Sequence, residues 1–202
     1  MGGLKRLARL AAFATGCLAA AAASAGESVA VGFPDPGTQL TFERSVGERT
    51  TTTTWTVAGE AVYDGQPVYR LESGDDFEVY DRDSKSWVAS RRHGRLKRVT
   101  PHNGQLNGPL HVGKSWQAAY LYRRRDGSQA EQERTWKVAA RETVEVPAGR
   151  FETLRIVSEG PALTLTLWYA PAIGFFVKRT TEGMVQVERV LVGYRAADAQ
   201  KD

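Results

Sequence analysis

Gly108-Pro109-Leu110-His111-Val112-Gly113-Lys114-Ser115 has the spacing G-x-x-x-x-G-K-S, in which backbone amides and a lysine can cradle the phosphates of a nucleotide. That chemistry needs a buried strand before the loop and a helix N-terminus after it. Ser115 instead opens a stretch where Trp116, Ala118, Tyr120 and Tyr122 alternate with Gln117, Ala119, Leu121 and Arg123, a period of two that predicts a strand. The run is therefore expected to be a turn. His93, His102 and His111, the only histidines, lie nine residues apart. Nine residues of strand span about 30 Å, so the three could meet on a zinc ion only if return loops gathered them, and surface histidines without a metal are expected. Asp75 and Asp76 are adjacent, which on a strand points them to opposite faces and excludes a catalytic dyad. With no G-x-S-x-G elbow, zinc-binding helix or spaced carboxylate pair, the chain reads as a non-enzyme without a cofactor.

Two further groups of residues suit binding. Arg91-Arg92-His93-Gly94-Arg95-Leu96-Lys97-Arg98 and Arg123-Arg124-Arg125 could hold an anionic lipid headgroup or a lipid A phosphate. Glu72, Asp75, Asp76, Glu78, Asp81 and Asp83 precede the first run closely, so cross-strand pairing on a solvated face accounts for it at lower cost. The five tryptophans, Trp55, Trp87, Trp116, Trp136 and Trp168, could line the concave side of a curved sheet and accept acyl chains, with core packing as the alternative. The candidate ligand-binding set is Trp55, Trp116, Tyr120, Trp136 and Trp168, with Arg92 and Arg124 at the rim.

The elements that must position these groups are clearest between Val146 and Lys178. Val146-Pro147-Ala148-Gly149 is a hairpin signal, because proline presets the first turn residue and glycine can take a left-handed conformation. Gly149 is accordingly expected to tolerate a side chain less well than Gly113. Leu163, Leu165 and Leu167 alternate with Thr164 and Thr166 as a half-buried strand, Pro171 closes it, and Phe175-Phe176-Val177 begins another after Gly174. The V-P-A-G-x-F and W-Y-A-P-x-x-G-x-x-V-K patterns of this stretch resemble exported bacterial β-proteins grouped as domains of unknown function. The resemblance implies successive strands of a large curved antiparallel sheet, distantly similar to the half-barrels of the lipoprotein carriers LolA and LolB, and it implies export rather than a chemistry.

Lys5, Arg6 and Arg9 precede an alanine-rich apolar run ending in Ala23-Ser24-Ala25, which reads as a secretory signal over residues 1–25. An alternative is a lipoprotein signal acylated at Cys17, the only cysteine, although the apolar run before Gly16 is short for one. Without the first 25 residues, 24 Lys plus Arg face 23 Asp plus Glu, a formal charge of +1, so the sequence pI of 9.3 is no evidence for nucleic acid. No second apolar stretch is long enough to span a bilayer. The chain is expected to be periplasmic or secreted.

Residues 26–37 read as a Gly, Pro and Ala-rich leader, 38–195 as one β domain, and 196–202 as a polar tail. A weak repeat runs through the domain. Thr54-Trp55-Thr56-Val57-Ala58 matches Thr135-Trp136-Lys137-Val138-Ala139, which suggests two related meanders at about 38–100 and 113–195 joined by a loop at His102–Pro109, with Trp55 and Trp136 both facing inward. The fold class expected is all-β: a strongly curved antiparallel sheet or open barrel of about 10–12 strands. No helical pattern follows residue 25 to cover a sheet face, so an apolar face must close on itself, meet a partner or hold a ligand. The function expected is non-catalytic binding of an apolar or amphiphilic envelope ligand, such as a lipid or acyl chain. The alternative is a structural or assembly protein that docks onto another envelope protein through its sheet edge.

Overall fold

The structure, a computed structural model, describes residues 27–124 and 126–197. The expected signal and its cleavage site, Cys17, Arg125 and residues 198–202 lie outside the described part. Every regular element within it is a strand: β1 (Gln39–Val46), β2 (Arg49–Tyr63), β3 (Gln66–Ser73), β4 (Asp76–Asp81), β5 (Trp87–Arg92), β6 (Arg95–Thr100), β7 (Ser115–Arg123), β8 (Gln129–Val146), β9 (Gly149–Ser158), β10 (Leu163–Ala170), β11 (Phe175–Gly183) and β12 (Val187–Arg195). Each pairs antiparallel with its chain neighbours, and β1 also pairs with β12, so the sheet closes as an up-and-down barrel of twelve strands. Closure leaves the sheet without a free first or last strand. The open sheet edge that docking through an edge would require is reduced to one gap. There β6 pairs with β7 only through Arg98–Arg123, Val99–Tyr122 and Thr100–Leu121.

Turn chemistry sets several hairpins. Asp64 and Gly65 both have positive φ, 52° and 79°, as a two-residue turn matched to strand twist requires. His93 and Gly94, at 49° and 71°, do the same between the paired Arg92 and Arg95. The basic run is thus itself a hairpin, and β6 is a strand that its charge conceals in the sequence. Gly113 and Gly149 both take positive φ, 89° and 137°, so the expected contrast between them disappears: a side chain is strained at either.

The two T-W-x-V-A segments meet the same local geometry. Register slips between Val57 and Gly59 against β3, and between Val138 and Ala140 against β9, making Ala58 and Ala139 the extra residues of β-bulges. Trp55 and Trp136 are each 1% exposed, face the interior and leave their indole N–H groups without a hydrogen-bond partner. With Leu40, Leu71, Leu154, Ile156, Leu167, Tyr169 and Leu191 they fill the barrel. Tyr80 corresponds by register to Tyr169, each being the first paired residue beyond a break in register with the next strand. A bulge follows in each partner strand, at Val88 and at Val177. Val68, Phe77, Val79, Val88 and Ala89 form a smaller apolar cluster on the outer side of β3 to β5, with Ala61 and Tyr63 packed on it.

One end of the barrel is plugged. The expected leader packs there: Val29 pairs with Leu110, Phe33 stacks on Tyr69 with centroids 4.6 Å apart, and the Gly32 amide donates to the Tyr169 hydroxyl at 2.8 Å. The β6–β7 connection also folds inward and buries Asn103, Gln105, Leu106 and Leu110. Its polar groups are bound rather than stranded. The Asn103 side-chain carbonyl accepts from the Trp87 and Gln105 amides, Ser86 Oγ donates to the Leu106 carbonyl, and Trp116 Nε1 donates to the Gly104 carbonyl at 2.7 Å.

Candidate functional site

The opposite end carries the β1–β2, β3–β4, β5–β6, β7–β8, β9–β10 and β11–β12 turns, and its interior wall is polar. Alternation along β4 puts Phe77 and Val79 outside and Glu78 and Tyr80 inside. Ser90 faces Glu78 across β5, so Arg92, two residues on, enters from the same side. From the other wall, Arg44 on β1, Arg189 on β12 and Arg179 on β11 are direct cross-strand neighbours, Arg44 opposite Arg189 and Arg189 opposite Arg179. Register thus draws one row of three guanidiniums across adjacent strands. Lys97, whose partner across β5 is Ser90, belongs to the same inner face and is nonetheless exposed, so solvent reaches this mouth.

Glu78 is the carboxylate at the centre. It is 4% exposed, and it accepts from Arg92 Nη2, from the Tyr80 hydroxyl at 2.7 Å, and from Arg189 Nη1 at 3.2 Å on both oxygens. Burial pushes its carboxyl up, but the charges of Arg189 and then Arg92, with the Tyr80 hydrogen bond, outweigh that and hold it well below the usual carboxylate range. Burial, and next the Glu78 charge, push the Tyr80 phenol far up, so it stays protonated as a donor. Arg189 also lies over Phe42, its Cζ 4.0 Å from the ring centroid, while Arg92 lies 5.1 Å from that of Trp55.

Positive charge exceeds negative here. Arg44 and Arg179 are half-buried, and neither side chain makes a hydrogen bond or ion pair with a described residue. Burial, then the neighbouring Arg92 and Arg189, lower the Arg44 pKa; burial is also the main cause lowering that of Arg179. Arg189 Nη2 is buried without a partner. Beside Arg179 and Arg189, a cavity bounded by Phe42, Phe175, Phe176 and Gln105 has about 20 Å³, room for roughly one water.

Of the residues singled out from sequence, Trp55, Trp136 and Trp116 face inward and are buried as core; Trp116 is anchored by the plug. Tyr120 faces the interior half-buried, its hydroxyl accepting from Arg134 Nε at 3.2 Å. Trp168 is on the outer face, where Nε1 donates to Glu142 at 2.7 Å and Lys178 lies over its ring. Arg92 is at the centre of the mouth, whereas Arg124 is exposed in the β7–β8 turn. Arg44, Arg179 and Arg189 carry no signal in the sequence, and Glu78 shows there only as one of six acidic neighbours of the basic run. They are scattered through four strands with no shared motif, and only their register brings them together.

The other motifs form no site. Lys114 Nζ donates to the Asn107 carbonyl and, at 2.9 Å, to that of Pro109, so the phosphate-loop spacing is a turn that binds its own lysine. His93 sits in the β5–β6 turn and His102 and His111 in the β6–β7 connection, and among the described residues no three His, Cys, Asp or Glu side chains cluster to hold a metal. A larger groove of about 690 Å³ lies in the β6–β7 gap, walled by Gly104, Leu106, Asn107, Pro109 and Ala118. Asp83, His102, Trp116 and Gln117 also line it, whereas the row of guanidiniums is at the opposite end of the barrel.

No protein-family model matches the sequence, and no curated protein does. The barrel is similar to three solved structures at low identity. The hypothetical lipoprotein YmcC from Escherichia coli has 15% identity and a TM-score of 0.49 over 81% of this chain and 86% of that one. A candidate lipoprotein from Parabacteroides distasonis has 11% identity and a TM-score of 0.45, over 84% and 100%. A candidate exported protein with a YmcC-like fold from Bacteroides fragilis has 13% and 0.40, over 82% and 99%.

Proposed function

We propose that the chain is a non-catalytic protein of the bacterial envelope that engages an amphiphile through the basic mouth of its barrel. The amphiphile's polar head enters, and its apolar part stays outside. The interior leaves little space for an acyl chain, because Trp55, Trp136, Leu167 and Tyr169 fill it to exposures of 1% or less. The observation that carries the reading is the pairing of that mouth with an apolar tip at the same end. Met184 is 103% exposed and Val185 56% exposed in the β11–β12 turn, which leads into Arg189 on β12, with Arg44 on the adjacent β1. An exposed apolar tip beside a cationic cavity suits the boundary between headgroups and acyl chains, where buried apolar area and attraction to anionic lipid add. The secretory signal expected at residues 1–25 supports an envelope location. The experiment is native mass spectrometry of the protein taken from its own envelope. Co-purified lipid is the expected result, and a stoichiometric protein partner with no lipid would overturn the reading in favour of a scaffold.

A further inference from the structure

We infer that Arg44, Arg179 and Arg189 form a binding site for a phosphate-type oxyanion, with Arg92 and Glu78 as the positioning pair that holds Arg189 in place. The inference deepens the amphiphile reading and rests on it for which end of the barrel meets the ligand. The argument begins with charge. Four guanidiniums from β1, β5, β11 and β12 meet at this mouth beside a single buried carboxylate: Arg92 and Arg189 bind Glu78, and Arg44 and Arg179 stand on either side of Arg189 in register. Glu78 spends its oxygens on Arg92, Arg189 and Tyr80, which leaves Arg44 and Arg179 with no acceptor among the described residues. Cations withdrawn from water without a counter-charge are costly, and like charges brought into cross-strand register add to that cost. Nothing in the barrel's construction requires the row, since aliphatic residues occupy the same faces deeper in, at Leu40, Leu167 and Leu191.

Hydrogen-bonding capacity points the same way. Arg189 Nη2 is buried without a partner while its Nη1 is held by Glu78, so the guanidinium is fixed in orientation with one amino group unspent. Arg44 and Arg179 flank it on the two adjacent strands. Three planar forks converging from neighbouring strands suit an acceptor with several oxygens, and guanidinium binds phosphate through paired N–H donors. The excess of positive groups fits a dianion better than a single carboxylate. A lipid phosphomonoester headgroup and free phosphate share this chemistry.

The test uses the secreted chain, with Arg44→Gln and Arg179→Gln as variants. Neither residue holds Glu78 directly, so both variants keep the Arg92–Glu78–Arg189 centre and fold. Inorganic phosphate is compared with chloride at matched ionic strength by thermal melting and calorimetric titration. Phosphate is expected to raise Tm in the parent, and each substitution is expected to weaken phosphate binding by about tenfold or more. In phosphate-free chloride the variants should melt no lower than the parent, because they remove unpaired cations. Phosphate acting no differently from chloride, or a shift kept in both variants, overturns the site. Phosphatidylcholine vesicles with and without phosphatidic acid then separate the sources. If phosphatidic acid vesicles bind and free phosphate displaces them, the ligand is a headgroup. If phosphate binds at the arginines but neither vesicle does, the oxyanion site stands and the amphiphile reading falls. Vesicle binding unaffected by either substitution keeps the amphiphile reading and overturns the site.

Discussion

Glu78 sits where a carboxylate is least able to be lost. Its neighbours are charged or polar on every side: Tyr80 on its own strand, Arg92 on β5, Arg189 on β12, with Arg179 on β11 contributing charge at longer range. Its folded pKa is depressed, so it contributes stability that is fully present above its unfolded value, near 4.5, and is lost as pH falls through the lower folded value. Glu78→Gln removes that contribution and leaves Arg92 and Arg189 with a neutral partner. A loss of roughly 3–5 kcal/mol at pH 7 is expected, as for other buried pairs broken on one side. Chemical denaturation at pH 7 and near pH 3 measures it: the gap between parent and variant should narrow in acid, and a gap equal at both pH values would refute the account. The residue was legible in the sequence only as one of six acidic neighbours of a basic run. Its inward facing follows from alternation along β4, but its partners lie as far as 111 positions away, at Arg189.

At the scale of elements, the β6–β7 connection shows how a loop becomes part of a core. The loop expected at His102–Pro109 and the turn expected at the phosphate-loop spacing are both present in it. Sequence could not tell that the turn points inward, because that depends on whether the barrel leaves an end to fill. Gly104 is the residue that permits it. Its φ is +63°, and a Cβ there would lie 2.2 Å from the Ala118 Cβ on β7. Gly104→Ala is therefore expected to cost roughly 2–4 kcal/mol, combining overpacking with left-handed strain. Adding Ala118→Gly removes the atom it strikes, so the double variant should be more stable than Gly104→Ala alone. Thermal melts of the four proteins in this cycle decide it, and a double variant that is only additively worse would place the loop outside the barrel.

For the whole molecule, closure and plugging divide the labour between the two ends. One end is sealed by residues 27–37 and the inward connection, the other is wet and cationic. Removing residues through Gly37 deletes Phe33 from between Tyr69, Tyr80 and Phe175, and the Gly32 contacts to the Tyr169 hydroxyl. The truncated barrel is expected to melt at lower temperature and to bind a hydrophobic dye, while phosphate binding at the far mouth persists. Dye binding unchanged and melting unchanged would mean that this segment is not the seal. Composition alone suggested a leader lacking structure, since Gly and Pro disfavour elements; here it contributes side chains to a plug and is tied down by backbone bonds at Val29–Leu110 and from the Gly37 amide to the Val57 carbonyl of β2.

What the amino-acid order determined by itself was local: an all-β chain, its turns, and the inward facing of Trp55 and Trp136, because alternation and positive-φ turn residues act over a few positions. Strand count followed closely, except where charge hid β6. The tertiary structure alone decided that β1 meets β12, that Trp168 lies outside, and that Arg44, Arg179 and Arg189 share a row with Arg92 across the mouth from them. Those are consequences of register summed around a closed sheet. A single residue of slip reverses every facing, and no short motif encodes the sum.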